Sequence, residues 1–189
     1  MVLAENEYEA LLRVADQIDW RFKLALILAH ETGHRIGAIR QLRWSDIDFA
    51  GDNIRWRAEH EKTGYEHVTP MTTDAGAALE EARRRNPGIG DAPIFPADTN
   101  PGRSVDRFLP RKWWERAEKL AGLESKRGRG WHSLRRKFAT DLMHKPLKIL
   151  CRLGGWKSPE TLLECYQQPS EEQMREVLAG RRRASGEAQ

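Results

Sequence analysis

Residues 46–57 read Asp46-Ile47-Asp48-Phe49-Ala50-Gly51-Asp52-Asn53-Ile54-Arg55-Trp56-Arg57. Apolar and polar residues alternate on both sides of Ala50-Gly51-Asp52-Asn53, a run that suits a tight turn. A second turn, Lys62-Thr63-Gly64, leads into a further short strand from Glu66 to Thr69. The expectation is a small three-stranded antiparallel sheet. On either side the period becomes helical. Residues 6–18 place Leu11, Leu12, Val14, Ala15 and Ile18 at helical spacing. Asp19 is suited to cap a second helix through about His30, which Gly33 stops. Short helical runs follow at 36–42 and 73–85, then a loop at 86–103 rich in Pro, Gly, Asp and Asn. Further helices are expected at 110–121, 132–144, 146–153 and from Ser158-Pro159 to about Tyr166. Ser170-Glu171-Glu172-Gln173 has a capping-box pattern and opens a terminal helix to Leu178. The fold class is therefore mainly α with a small three-stranded antiparallel sheet.

Length and composition set the outer limits. The 189 residues favour one domain, expected over 1–179, with 180–189 a disordered basic tail. No apolar run approaches the ~20 residues that cross a bilayer, and no signal-peptide layout is visible. Two cysteines, Cys151 and Cys165, exclude a disulfide scaffold and suit a reducing, cytoplasmic setting. The net charge of +4 is modest, but its distribution is uneven. Six basic residues and no acidic one lie between Ser125 and Lys137. Such a run is either a solvated face or a contact for a polyanion.

Four local patterns carry possible chemistry. His132-Ser133-Leu134-Arg135 opens a helix and puts His and Arg on one face, where free N–H groups favour an anion. The same pattern also fits a capping histidine beside a surface arginine. Thr32-Gly33-His34-Arg35 places an arginine between two helices, where it either grips a phosphate or bridges the helices. Lys62 lies at a hairpin tip and also reads as an ordinary turn lysine. Tyr166 ends a short helix; its phenol, with a pKa near ~10, needs activation to act as a nucleophile. The histidines at 30, 34, 60, 67, 132 and 144 form no HExxH, and no CxxC, P-loop or GxGxxG occurs. Neither a metal nor a nucleotide cofactor is expected.

Singly these signals are weak, but their order is specific. Thr32-Gly33-His34-Arg35-Ile36 with Leu42-Arg43-Trp44-Ser45-Asp46-Ile47-Asp48 resembles the first arginine box of the tyrosine site-specific recombinases, the phage-integrase family. His132-Ser133-Leu134-Arg135-Arg136-Lys137-Phe138-Ala139-Thr140 resembles the second. Leu153-Gly154-Gly155-Trp156-Lys157-Ser158-Pro159-Glu160-Thr161, followed by Tyr166, resembles the third. The resemblance covers roughly residues 5–179 and implies the catalytic domain of such an enzyme. The N-terminal helical domain that closes around DNA in the family would lie outside this sequence.

By position, the resemblance implies Tyr166 as nucleophile and Arg35 and Arg135 as clamps on the scissile phosphate. It implies Lys62 as general acid for the leaving 5′ oxygen and His132 as an aid to proton transfer. Trp156 takes the place of a family His or Trp that packs near the phosphate. Arg43, Arg129, Arg136, Lys137 and Lys157 would contact DNA. The expected partners are double-stranded DNA and, through the terminal helix, other protomers on DNA; without DNA a monomer is expected. One departure is Ala38, where the family often carries an acid, and Glu31 or Asp46 are its candidate substitutes. Two other activities remain open on the residues: a DNA-binding module without catalysis, and type IB topoisomerase-like relaxation.

Overall fold

The computed structural model describes residues 1–61 and 64–165, and residues 171, 174–176, 178 and 179 of the C-terminal stretch. Helix α1 spans Glu5–Val14, α2 Trp20–Thr32 and α3 Ile36–Ile39. Strands β1 (Ile47–Asp48), β2 (Asn53–Trp56) and β3 (His67–Pro70) follow. The chain continues with α4 (Thr73–Arg85), α5 (Leu109–Leu120), α6 (Trp131–Asp141), α7 (Leu147–Leu153) and α8 (Pro159–Cys165). The expected class is what the structure has: mostly helices with one antiparallel sheet, ordered β1-β2-β3.

Helix α2 is the central rod. The Asp19 side chain accepts from Arg21 N–H at 2.8 Å and starts the helix. Phe22, Leu24, Ala25, Leu26, Leu28 and Ala29 are all buried, and the remaining stripe of Trp20, Lys23, Ile27, His30 and Glu31 is half-buried. Gly33 ends it in the left-handed region at φ 65°. A β-carbon there would stand 2.4 Å from Phe138 Cδ1, so glycine also permits α6 to approach.

The sheet pairs Ile47 with Ile54 and Trp56 with His67. Trp56 is buried, and its indole N–H donates to Thr69 Oγ1 at 2.9 Å across the strands. This pins the register. The core has two parts. The larger gathers α1, α2, the sheet, α4 and the Trp113–Trp114 face of α5. The smaller gathers Phe138, Ala139, Leu150, Cys151, Trp156 and Leu162. Helix α6 runs through both, with Leu134 in the first and Phe138 in the second.

Three helix ends differ from the sequence expectation. The first helix stops at Val14, and a 3-10 turn, Ala15–Gln17, carries the chain to the Asp19 cap. Helix α3 stops at Ile39 because the chain then extends to bridge Arg43 with Pro93, and the Leu42 carbonyl accepts from Ile94 N–H. Helix α6 ends at Asp141, not 144. The expected tail lies outside the described residues. Among the described residues, no helix is long and apolar enough to cross a membrane.

Candidate active site

Three segments converge on one pocket of about 540 Å³. The first is the α2–α3 junction. After Gly33 the chain turns extended at Arg35 (φ −69°, ψ 140°), whose carbonyl accepts the first N–H groups of α3. The Arg35 guanidinium looks into the pocket with its side chain 27% exposed, and its Nη1 makes no hydrogen bond among the described residues.

The second segment is α6. Gly130 precedes it, and Ser133 Oγ donates to the Gly130 carbonyl at 2.6 Å, fixing the first turn. His132 is exposed at the lip of the pocket. Partial burial pushes its pKa down, and Arg136, Arg135 and Arg35 push it the same way. The ring is therefore neutral near pH 7 and able to take up a proton. Arg135 is buried, and its Nη1 donates to the carbonyls of Gly33 and Gly154, each at 2.6 Å. The guanidinium carbon lies 3.9 Å from the centre of the Trp156 ring. Two helix-end carbonyls and one indole face thus fix this arginine.

The third segment is the turn after β2, which brings Glu61 into the pocket. Its side chain is 1% exposed, and Oε2 stands 3.7 Å from Arg35 Nη1. Sequence reasoning missed this carboxylate. Neither Glu31 nor Asp46 replaces the acid absent at Ala38. Glu31 pairs with His30 at 2.8 Å, and Asp46 holds Arg57 at 2.7 Å and Arg55 at 3.2 Å. The only sequence signal for Glu61 was its place beside Lys62 at a predicted turn, which does not reveal burial.

A histidine pair behind Arg135 was also missed. His34 is buried and stacks on Trp56 with ring centres 3.5 Å apart. Its Nδ1–H donates to the Thr32 carbonyl at 3.1 Å, and its Nε2 lies 3.0 Å from His67 Nε2. Burial, with Arg135 and His67 adding to it, holds His34 well below the ordinary histidine pKa. Gly155, at φ 64°, faces the pair; a β-carbon there would approach His67 Cε1 to 2.9 Å.

Of the expected site residues, Arg35, His132 and Arg135 line the pocket and Trp156 packs beneath Arg135. Lys62 and Tyr166 lie outside the described residues. Lys157 is exposed, Arg136 is half-buried near the Met1 carbonyl, and Arg43 is half-buried beside Asp91.

Two of the expected DNA contacts are corrected. The Arg129 side chain is 1% exposed and bonds Glu118 and Glu7, each at 2.7 Å. Lys137 is buried and bonds Glu5 at 2.7 Å and Asp141 at 2.9 Å. Both cations are already matched by carboxylates inside the protein, so neither presents its charge to a polyanion. Among the described residues, no cluster of three or more His, Cys, Asp or Glu is placed to hold a metal ion.

Comparison with known proteins bears on the family and the fold. A family model described as the phage integrase family matches residues 1–173. A protein of Sinorhizobium fredii named as an integrase/recombinase, y4gC, is 33% identical over 129 residues, covering 67% of this chain and 65% of its own. The integrase of Escherichia phage HK022 is 37% identical over 70 residues, covering 37% of this chain and 18% of its own. Among solved structures, XerA recombinase superposes with a TM-score of 0.75 at 22% identity, over 96% of this chain and 63% of that one. A lambda integrase dimer bound to a COC′ core site gives 0.67 at 21% identity, over 89% and 50%. The chain spans less than two thirds of the length of each of these proteins. By its family match and its fold, the chain belongs to the phage integrase family.

Proposed function

We propose that this chain is the catalytic domain of a tyrosine recombinase, which cuts and rejoins DNA at specific sites through a 3′-phosphotyrosyl intermediate. The observation that carries the reading is the convergence of Arg35, Arg135 and His132 on one pocket. A phosphodiester is an anion and repels an oxygen nucleophile. Two guanidinium groups offset that charge and stabilise the additional charge of the transition state. Arg135 is well suited to this because its carbonyl contacts and the Trp156 face fix it before substrate arrives.

The reaction then balances as follows. Tyr166 Oη attacks phosphorus, and the bond to the 5′ oxygen breaks. His132, neutral near pH 7, provides a route for the phenol proton. Lys62 gives a proton to the departing 5′ oxygen. The phosphodiester energy is conserved in the tyrosyl ester, so a 5′ hydroxyl reverses the step without a nucleotide. Tyr166 and Lys62 take these roles from the family resemblance. Arg43, Arg136 and Lys157 are proposed phosphate contacts outside the pocket, positioning DNA without reading its sequence. The terminal helix, where Met174 and Leu178 are exposed, is the proposed contact with a neighbouring protomer.

A second reading, a DNA-binding module without catalysis, is favoured by Ala38, which leaves the first arginine without the family's usual acid. One assay separates the two. Nicked duplexes bearing candidate sites are incubated with wild type and Tyr166→Phe, without metal or ATP, and run on a denaturing gel. Recombinase chemistry gives a DNA-linked protein band for wild type and none for the variant. Intact DNA binding with no band for either protein favours the second reading.

A further inference from the structure

We propose that Glu61 is the resident counter-ion of the phosphate pocket. In the free protein it holds Arg35 and balances Arg135. A bound phosphate oxyanion takes over both arginines, and Glu61 then takes up one proton. The inference rests on the reading of this pocket as a phosphate site.

The geometry is unusual for a carboxylate. The side chain is 1% exposed, yet among the described residues neither oxygen accepts a hydrogen bond. A buried carboxylate without donors is costly, and it persists only where nearby cations compensate. Here the compensation is Arg35, with Nη1 3.7 Å from Oε2. Arg135 adds to it across the pocket. Both are the groups that would receive a phosphate. An oxyanion drawn to them stands close to Glu61, and two anions cannot share the pocket without cost. Neutralising Glu61 removes the conflict.

The groups facing Glu61 set the sign of the effect. Arg35 faces it from the start of α3, Arg135 and His132 from α6, and His34 from the α2–α3 turn, with His34 Nε2 3.8 Å from Oε1. Glu59 and His60 belong to its own turn, and Lys62, next in the chain, lies outside the described residues. Burial raises the Glu61 pKa, and Arg135 and Arg35 pull it back in part. When the arginines turn to an incoming anion that pull is lost, and the pKa rises further. Anion binding therefore weakens as pH rises through the Glu61 titration. His34, His60 and His132 are all held below the ordinary histidine value, chiefly by burial, so their own contribution falls at lower pH.

Sulfate tests this well, because it is an oxyanion that does not titrate in the working range. It is added to the protein at constant ionic strength, and binding is followed by NMR at the ring protons of Trp131, a residue that lines the pocket and whose indole N–H is held on the Pro110 carbonyl. Wild type should lose affinity with rising pH, by at most about tenfold per pH unit for one linked proton. Glu61→Gln should bind more tightly at high pH, and its advantage over wild type should grow with pH. Glu61→Asp should retain the pH dependence. The histidines are common to all three proteins and cancel in the ratio. A second measurement needs no variant: the Glu61 side-chain carboxyl carbon, followed by NMR in wild type, should titrate at higher pH with sulfate than without.

A Gln-to-wild-type ratio that stays near one across the pH range overturns the inference, as does a carboxyl titration unmoved by sulfate. Arg35→Ala separates this failure from a wrong assignment of the pocket. If Arg35→Ala abolishes sulfate binding while Glu61 makes no difference, the pocket stands and the counter-ion falls. If sulfate binding ignores Arg35, both fall.

Discussion

Replacing Arg129 with methionine keeps an unbranched stem and removes the guanidinium. That group ties three pieces of chain together. Nε donates to Glu118 on α5 and Nη1 to Glu7 on α1, each at 2.7 Å, and Nη2 donates to the Glu124 carbonyl. The carboxylates are nearly as buried as the cation, with side-chain exposures of 9% and 12%. Two charge-assisted hydrogen bonds at about 1.5–3 kcal/mol each set the scale. Breaking a buried pair by removing one partner costs about 3–5 kcal/mol, because the other charge is left uncompensated. For a domain of this length each kcal/mol moves Tm by about 2–4 °C. Arg129→Met should therefore lower Tm by roughly 6–20 °C, read by circular dichroism.

Two further readouts distinguish a structural tie from a DNA contact. Well below the variant's Tm, the salt dependence of DNA affinity should match wild type, since no phosphate contact is lost. The double variant Arg129→Met/Glu118→Gln should recover part of the loss. A pH effect is also expected. Burial pushes the Glu7 carboxyl up, but the Ala4 N–H and the Arg129 guanidinium outweigh it and hold the pKa below its ordinary 4.5. Stability from this depression is present above pH 4.5 and lost as pH falls through the lowered value. Arg129→Met should lack Arg129's share of that acid-side loss. A destabilisation under about 1 kcal/mol, together with a shallower salt slope, would refute the tie and restore Arg129 as a DNA contact.

Two other substitutions probe nearby features. Arg136→Ala should weaken DNA binding and reduce the slope of log affinity against log salt by about one; Lys137→Ala, whose charge is matched by Glu5 and Asp141, should leave that slope unchanged. Gly33→Ala forces a side chain into the left-handed region at about 1–2 kcal/mol. It also drives a β-carbon against Phe138, at about 1–3 kcal/mol for overpacking. Urea unfolding should therefore show a loss of about 2–5 kcal/mol.

Much of the fold was legible because its signals are local. The Asp19 cap, the Gly33 stop and the turn at 50–53 each depend on a few adjacent residues. The pocket arginines and His132 were legible because they sit in ordered motifs. The 125–137 run was misread in part for the opposite reason. A sequence displays charge without partners: Glu7, Glu118 and Glu5, which meet Arg129 and Lys137, come from α1 and α5, while Asp141, one turn beyond Lys137 on α6, is the local partner. Glu7 and Arg129 are 122 positions apart. No local pattern reports such a contact. Glu61 was hidden likewise, since burial at a turn is decided by what packs over it.

The same long-range logic explains why Arg135 is built in so firmly. Its two acceptors, the carbonyls of Gly33 and Gly154, end α2 and α7, where unpaired carbonyls carry partial negative charge. A guanidinium bridging them ties the end of α2 to the end of α7 and meets both carbonyls at once. Lysine, with a single ammonium on a flexible stem, has no planar fork to lie on Trp156 while reaching both acceptors. A second cation on His34, directly behind, would repel Arg135. Burial against Trp56 works against that by favouring the neutral ring. The arginine is thus fixed before any phosphate enters, so little reorganisation is left for the moment when charge develops at phosphorus.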